Sequence, residues 1–508
     1  MITTTSANPT YEFLNTLNVD LDVKRRLSLL LDSTYKGNSD ILLSPMGKDN
    51  DPKGILSEWD KVFLANKSLM NNVLLEIEQE QRGKFGPRSI AIPWMERRDS
   101  LLDSYRSNKA DEDFINRIPS LAKDQRILRP LTINNANKLL QNTTNSGLPY
   151  YTKKGIVKER VVTKFDELLQ RRDPCILFTR TQEQNKTRNV WGFPIADTLN
   201  EMMYYSPLLG YQKRLPYRAA VNGPTEVDSS MTRLIRSTNY TGRTLMSIDF
   251  SKFDNSVKSS LQTMAFNYIK SLFQSDWLED LNYITERFNS IGIITPEGIY
   301  QGSHGVPSGS TFTNEVDSLA QALIALSLPY IEMTDMQIQG DDGVYAVPRD
   351  KVDELKSVFE RCGLVVNDEK SYLSDDYCVY LQNLYHKDYD KDGLIGGIYP
   401  IYRALNRIIY QERWANFEEY DISGKDYYSI RTICIVENCK YHPLFKEFVK
   451  FVLKYDKYSL DPSDQGIAKY VQMFDKTQSA GGILYHQYGD NVKGIKSFET
   501  FKMIKELS

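Results

Sequence analysis

Met336-Gln337-Ile338-Gln339-Gly340-Asp341-Asp342-Gly343-Val344-Tyr345-Ala346-Val347 is the stretch on which the fold turns. Residues of alternating character flank Gly-Asp-Asp-Gly, which predicts a β-hairpin carrying two acids at its tip. Asp-Gly is a favoured turn dipeptide, so a surface turn is the plainest reading. Both arms, however, are apolar enough to be buried, and a buried hairpin carries its tip into the body of the protein.

Working outward, Thr244-Leu245-Met246-Ser247-Ile248-Asp249-Phe250-Ser251-Lys252-Phe253-Asp254 reads as a buried strand to Ile248. Asp249 stands where the strand runs out, and Asp254 lies past a turn before a helix expected from about Ser256. An acid at the end of an apolar strand is costly unless it is paired or bound to metal. If the hairpin lies beside this strand, Asp249 and Asp341 converge. Hard oxygen ligands of this kind hold two Mg²⁺ or Mn²⁺ ions about 3.5–4 Å apart for in-line phosphoryl displacement. Between the two segments, Gly302-Ser303-His304-Gly305-Val306-Pro307-Ser308-Gly309-Ser310-Thr311-Phe312-Thr313-Asn314 is a small-residue loop. It runs into an apolar helix through Val316, Leu319, Ala320, Leu323 and Ile324. Such a loop lets backbone approach closely, and a helix N-terminus favours phosphate.

The rest of the chain sets bounds. Its 508 residues exceed one compact core, so three or more lobes are expected. Lys and Arg (63) nearly cancel Asp and Glu (66), leaving −3 overall. Residues 151–190 nevertheless hold ten basic side chains against five acids, and an enclosed channel needs only its lining to be positive. No run reaches the ~18 apolar residues of a membrane span. The start, MITTTSANPTYEF, has no charged-then-apolar leader, so a cytosolic protein is expected. Five cysteines make no disulfide framework. Cys434, Cys439 and His442 read as core residues, because no second ligand cluster accompanies them.

In combination, DFSKFD, PSGSTFTNEVDS and QGDDG resemble motifs A, B and C of viral RNA-dependent RNA polymerases. GVPSGSTFT and TRTQEQNKTRNVWGFP are most similar to those of small double-stranded RNA viruses, picobirnaviruses and then partitiviruses. The resemblance spans roughly residues 140–390. It implies an α+β fold, a cupped right hand of fingers, palm and thumb, with Asp249, Asp341 and Asp342 holding two Mg²⁺ or Mn²⁺ ions. The segment from Thr179 to Trp191 resembles motif F, whose Arg180, Lys186 and Arg188 would meet the triphosphate; spaced basic groups suit its charge. Asn145-Ser146-Gly147-Leu148-Pro149 resembles motif G, which gives Ser146, Gly147 and Pro149 to the template. Asn367-Asp368-Glu369-Lys370-Ser371 resembles motif D, where Lys370 would protonate the departing pyrophosphate. Tyr380-Leu381-Gln382-Asn383-Leu384 fits the palm–thumb hairpin, motif E. Ser308, Gly309, Thr313, Asn314 and Asp254 complete the expected nucleotide site.

One departure bears on sugar selection. Related polymerases often carry Asn four residues after the motif B Thr, and here that position is Asp317, while Asn314 follows Thr313 directly. A neutral amide avoids carboxylate repulsion near a triphosphate, so Asn314 is the expected partner of Asp254. A reverse transcriptase would place an aromatic residue where Asp254 stands, and a silent scaffold would have lost a metal carboxylate. The division expected is a bridge between fingers and thumb at 1–80, fingers at 81–200 and 259–300, palm at 201–258 and 301–385, and thumb at 386–508. Template and nascent RNA, NTPs and a capsid protein are the expected partners of a monomer without membrane attachment. Its expected place is the virion interior and the host cytoplasm.

Overall fold

A computed structural model of the chain describes residues 11–118, 125–477 and 494–507. Two four-stranded sheets organise it. The first in chain order contains β1 (Cys175–Thr181), β2 (Thr187–Gly192), β4 (Ile293–Thr295) and β5 (Gly298–Tyr300), in the order β2-β1-β4-β5. The second contains β3 (Arg243–Ile248), β6 (Met336–Gln339), β7 (Asp342–Pro348) and β8 (Tyr372–Ser374), in the order β6-β7-β3-β8, all antiparallel.

The second sheet is buried on both faces, as its apolar strands require. Side chains alternate in direction along a strand. Leu245, Val344 and Ala346 therefore pack with Val227, Met231 and Leu234 of helix Pro224–Thr241. Met246, Tyr345 and Val347 pack the other way, in a core with Leu319 and Leu323 of helix Thr313–Leu326 and Phe359 of helix Val352–Arg361. The hairpin expected at 336–347 is thus an interior element with its turn at Gly340-Asp341. Beyond the sheet, β9 (Tyr377–Tyr380) and β10 (Asn383–His386) form the hairpin expected around Leu381. Leu381 and Gln382, at φ +49° and +65°, make its two-residue turn.

Residues 85–200, rich in Pro, Arg and Lys, contain β1 and β2. Cys175 and Leu177 pack with Trp94 and Trp191, while Ile176 faces Leu27 and Leu31. The N-terminal stretch divides its contacts. Helix Leu21–Lys36 lies against the first sheet, whereas helices Pro52–Ala65 and Asn72–Gly83 join the C-terminal helical core. There Trp59 meets Phe448 and Phe451 edge-on at 5.2 and 5.1 Å. Glu78 accepts from the Ile401 and Tyr402 amides at 2.7 and 3.1 Å, which caps helix Ile401–Ile409. The buried His442 lies 2.9 Å from Glu78, and Cys434 and Cys439 are free thiols in this core. Among the described residues, no helix is long and apolar enough to cross a membrane.

Candidate active site

The register of the second sheet assembles the acids. β3 and β7 pair with Ile248 opposite Gly343, and β6 and β7 pair with Gln339 opposite Asp342. Asp249, the residue after the last of β3, therefore lies beside the Gly340-Asp341 turn. Gly340 has φ +63°, a conformation that suits glycine. Asp249 is held from below: Asn367 Nδ2 donates to its Oδ2 at 3.0 Å, and its own amide donates to Ser371 Oγ at 3.1 Å. Burial raises the Asp249 carboxyl, against the pull of Lys370 and Asn367. Asp342 is pushed up to about 7 by burial and then by its neighbours Asp341 and Asp249. Three mutually repelling carboxylates present only hard oxygen donors, which is the donor set of a divalent cation. As placed, they do not form a closed three-ligand cage; none exists among the described residues.

Beneath the turn lies a polar network that the sequence reading did not anticipate. Gly340 donates its amide to Ser318 Oγ at 2.8 Å and accepts at its carbonyl from Gln321 Nε2 at 2.6 Å. Tyr345 donates to Gln321 Oε1 at 2.8 Å. Arg218, wholly buried, donates to Ser318 Oγ at 2.5 Å and to the Ile338 carbonyl at 3.1 Å, and pairs with Glu315. The available signal was the spacing of Glu315, Ser318 and Gln321, three apart on a helix that turns apolar after its first six residues.

The loop before that helix is tied on every side. Ser308 Oγ donates to the Asn189 carbonyl at 3.0 Å, and a side chain at Gly309 would collide with the Trp191 backbone. The buried Glu201 receives Ser310 Oγ and the Thr311 amide, each at 2.7 Å. Thr313 Oγ1 donates to the Pro307 carbonyl at 3.0 Å, and the helix starts at that residue.

The helix expected from about Ser256 is corrected here. Asp254 sits within a single helical turn, Phe253–Ser256, ahead of the longer helix Ser259–Leu272. With the helix beginning at Thr313, Asp317 shares the Thr313 face and lies in the electrostatic field of Asp254. Asn314 is turned away; its Oδ1 accepts from Arg218 at 3.3 Å and its amide lies against Gly340. The carboxyl pair is tolerated because burial raises Asp317 well above the carboxylate range, with Asp254 and Asp341 adding to it. Asp254 itself is raised to about 6, by burial and Asp341.

β1 and β2 form a hairpin over these acids, with Arg180 opposite Arg188. Its tip bends through Gln184 and Asn185 at φ +59° and +57°. Burial and then Arg188 and Lys370 lower the Lys186 ammonium, which also feels Asp249 and Asp341. Arg188 acts on Asp254. Arg180 is engaged elsewhere, donating to Glu412 at 3.2 Å. Lys370, exposed at the end of a 3₁₀ turn, completes the ring of charge around Asp249.

A cavity of about 1460 Å³ borders the loop at Gly309 and Thr311 and is not lined by the acids. Asn145, Lys153, Lys154, Gly309, Thr311 and Trp414 are among its lining residues. Of the expected template residues, Ser146 is buried and accepts from the Thr152 amide at 3.1 Å, and Gly147 has φ +60°. With Pro149 they shape the turn whose Asn145 reaches the cavity.

The comparisons agree with this geometry. Residues 128–477 match the profile of the family described as viral RNA-dependent RNA polymerase. A potential RNA-dependent RNA polymerase of a human picobirnavirus is 30% identical over 459 residues, 84% of each chain. The RNA-directed RNA polymerase of Cryptosporidium parvum virus 1 is 25% identical over 280 residues, 49% of this chain and 52% of the relative. The crystal structure of a human picobirnavirus RNA-dependent RNA polymerase superposes with TM-score 0.81 at 26% identity, covering 99% of this chain and 100% of that one. Its insertion-loop deletion mutant gives 0.79 at 27% identity, covering 95% and 97%. The α+β architecture is the cupped right hand of such polymerases, and the chain belongs to the viral RNA-dependent RNA polymerase family.

Proposed function

We propose that RNA is copied at Asp249, Asp341 and Asp342, which hold two divalent cations, Mg²⁺ or Mn²⁺. The observation that carries this reading is the register that sets Ile248 opposite Gly343 and so brings three acids together. Their repulsion, which pushes Asp342 up, is what positive charge relieves. Bound cations would stabilise the attacking and leaving oxygens of an in-line displacement. Asn367 and Ser371 orient Asp249 through its carboxylate and its amide. Lys186 and Arg188 receive the triphosphate, and Lys370 hands a proton to the departing pyrophosphate. Asp254 and Asp317 read the ribose, while Ser308, Gly309 and Thr313 frame the sugar and base. The turn at Ser146, Gly147 and Pro149 directs the template along the cavity.

By this reading the palm comprises 201–258 and 301–385, the fingers 81–200 and 259–300, and the thumb 386–508, with 1–80 bridging fingers and thumb. The resemblance to polymerases of double-stranded RNA viruses supports a monomer working with a capsid protein, in the virion interior and the host cytoplasm. Mn²⁺ binding, followed by the loss of the free-ion EPR signal, tests the site. With template RNA and an unreactive NTP analogue, wild type should bind two ions per chain and Asp342→Asn fewer. Equal stoichiometry in the two proteins would overturn the ligand assignment.

A further inference from the structure

Arg97, on helix Trp94–Tyr105, is a buried guanidinium without a buried acid. It is 4% exposed, and burial pushes it down to about 10, with no acid acting against that shift. It is therefore still charged at neutral pH. Its Nε has no hydrogen-bond partner. Its Cζ lies 5.6 Å from the Trp94 ring, and a guanidinium buried without an acid is costly unless its hydrogen bonds and such contacts offset the lost hydration.

The geometry is a fork across two strands. Nη2 donates to Thr179 Oγ1 at 2.7 Å, and Nη1 donates to Asn189 Oδ1. Thr179 and Asn189 stand directly opposite each other in β1 and β2, and the next pair toward the tip is Arg180 and Arg188. Because side chains alternate along a strand, the pair that Arg97 grips and the arginine pair face opposite sides of the hairpin. Asn189 is further held by Nδ2 donating to Ser100 Oγ at 2.8 Å and by its carbonyl accepting from Ser308.

We propose that Arg97 is a positioning residue for nucleotide binding, a rivet through both strands that sets the pose of Lys186 and Arg188 over the carboxylates. The inference rests on the reading of this hairpin as the triphosphate site. A planar guanidinium spans two acceptors in fixed geometry, and an ammonium does not.

The test compares Arg97→Met, Arg97→Lys and Arg188→Ala with wild type. Elongation gives KM and kcat for NTPs, filter binding gives template affinity, and hydrogen exchange of the ligand-free protein reports on residues 175–192. Arg97→Met should raise the NTP KM about tenfold, as for loss of charged hydrogen bonds, with a smaller fall in kcat. Template affinity should stay within about twofold, exchange in the hairpin should quicken, and Arg97→Lys should not restore either. Thr179→Val, which removes one acceptor at equal volume, should shift KM and exchange in the same direction, and it serves if Arg97→Met does not fold. Full recovery in Arg97→Lys with slow exchange would make charge alone the agent and overturn the rivet. Faster exchange with an unchanged KM would also overturn it, provided Arg188→Ala still raises KM. An unchanged KM in Arg188→Ala itself would instead overturn the triphosphate reading beneath it.

Discussion

Burial raises the carboxyls of both Asp254 and Asp317, Asp341 adds to each rise, and Asp254 adds to that of Asp317. On the proposed reading, Asp317 stands in for the Asn that related polymerases place four residues after the motif B Thr. Asp254→Ala and Asp317→Ala should therefore lose preference for GTP over 2′-deoxy-GTP, and Asn314→Ala should keep it. Hydrogen-bonded recognition of a hydroxyl reaches factors of ~10⁴, so loss of a sensor is easily read in an incorporation ratio. Retained discrimination in Asp317→Ala would return the role to Asn314. Asp342 gives a second prediction. Its folded carboxyl, near 7, lies above the ordinary ~3.9, so the charged form opposes folding. The penalty is absent below about pH 4, grows to about pH 7 and then levels off. In EDTA, Asp342→Asn should melt higher than wild type at pH 8, by up to a few kcal/mol, with the gap closing toward pH 4. A gap that widened on acidification would contradict the origin given for the shift. The meeting of Asp249 with the Gly340-Asp341 turn was legible in sequence because both arms of the hairpin are apolar enough to be buried. Arg218 was not, since Ser318 and Ile338, the groups it grips, lie 100 and 120 residues away.

The β1–β2 hairpin shows how an element can hide. Cys175-Ile176-Leu177-Phe178 is a short apolar run that merges into basic residues, and pairing with β4 and β2 is what makes it a strand. Its basic residues were legible as a set, but their division of labour was not. Arg180 pairs with Glu412, while Lys186 and Arg188 are felt at the acids. Arg188→Ala should accordingly raise the KM for NTPs and lower kcat, because guanidinium contacts strengthen as charge develops on the phosphates. Arg180→Ala should change KM less. Steady-state elongation with varied NTP reads both, and the reverse order would contradict the assignment.

Across the whole molecule, helices from the first 83 residues complete the core of the last hundred. That closure was not legible, because nothing local in the sequence names a partner so distant in the chain. Glu78 ties the two ends together through the Ile401 and Tyr402 amides and His442. Glu78→Ala strands those buried amides, which should cost about 2–4 kcal/mol in a melting curve, and Glu78→Gln should cost less. An unaltered melting curve in Glu78→Ala would remove the tie. The chemistry itself is proposed to occur at Asp249, Asp341 and Asp342. RNA-templated elongation by Asp341→Asn, with Mg²⁺ and with Mn²⁺, tests that most directly, because the substitution keeps the shape and removes one ligand charge. A folded mutant should lose incorporation by orders of magnitude with both ions; near-wild-type elongation at an unchanged melting temperature would contradict the assignment.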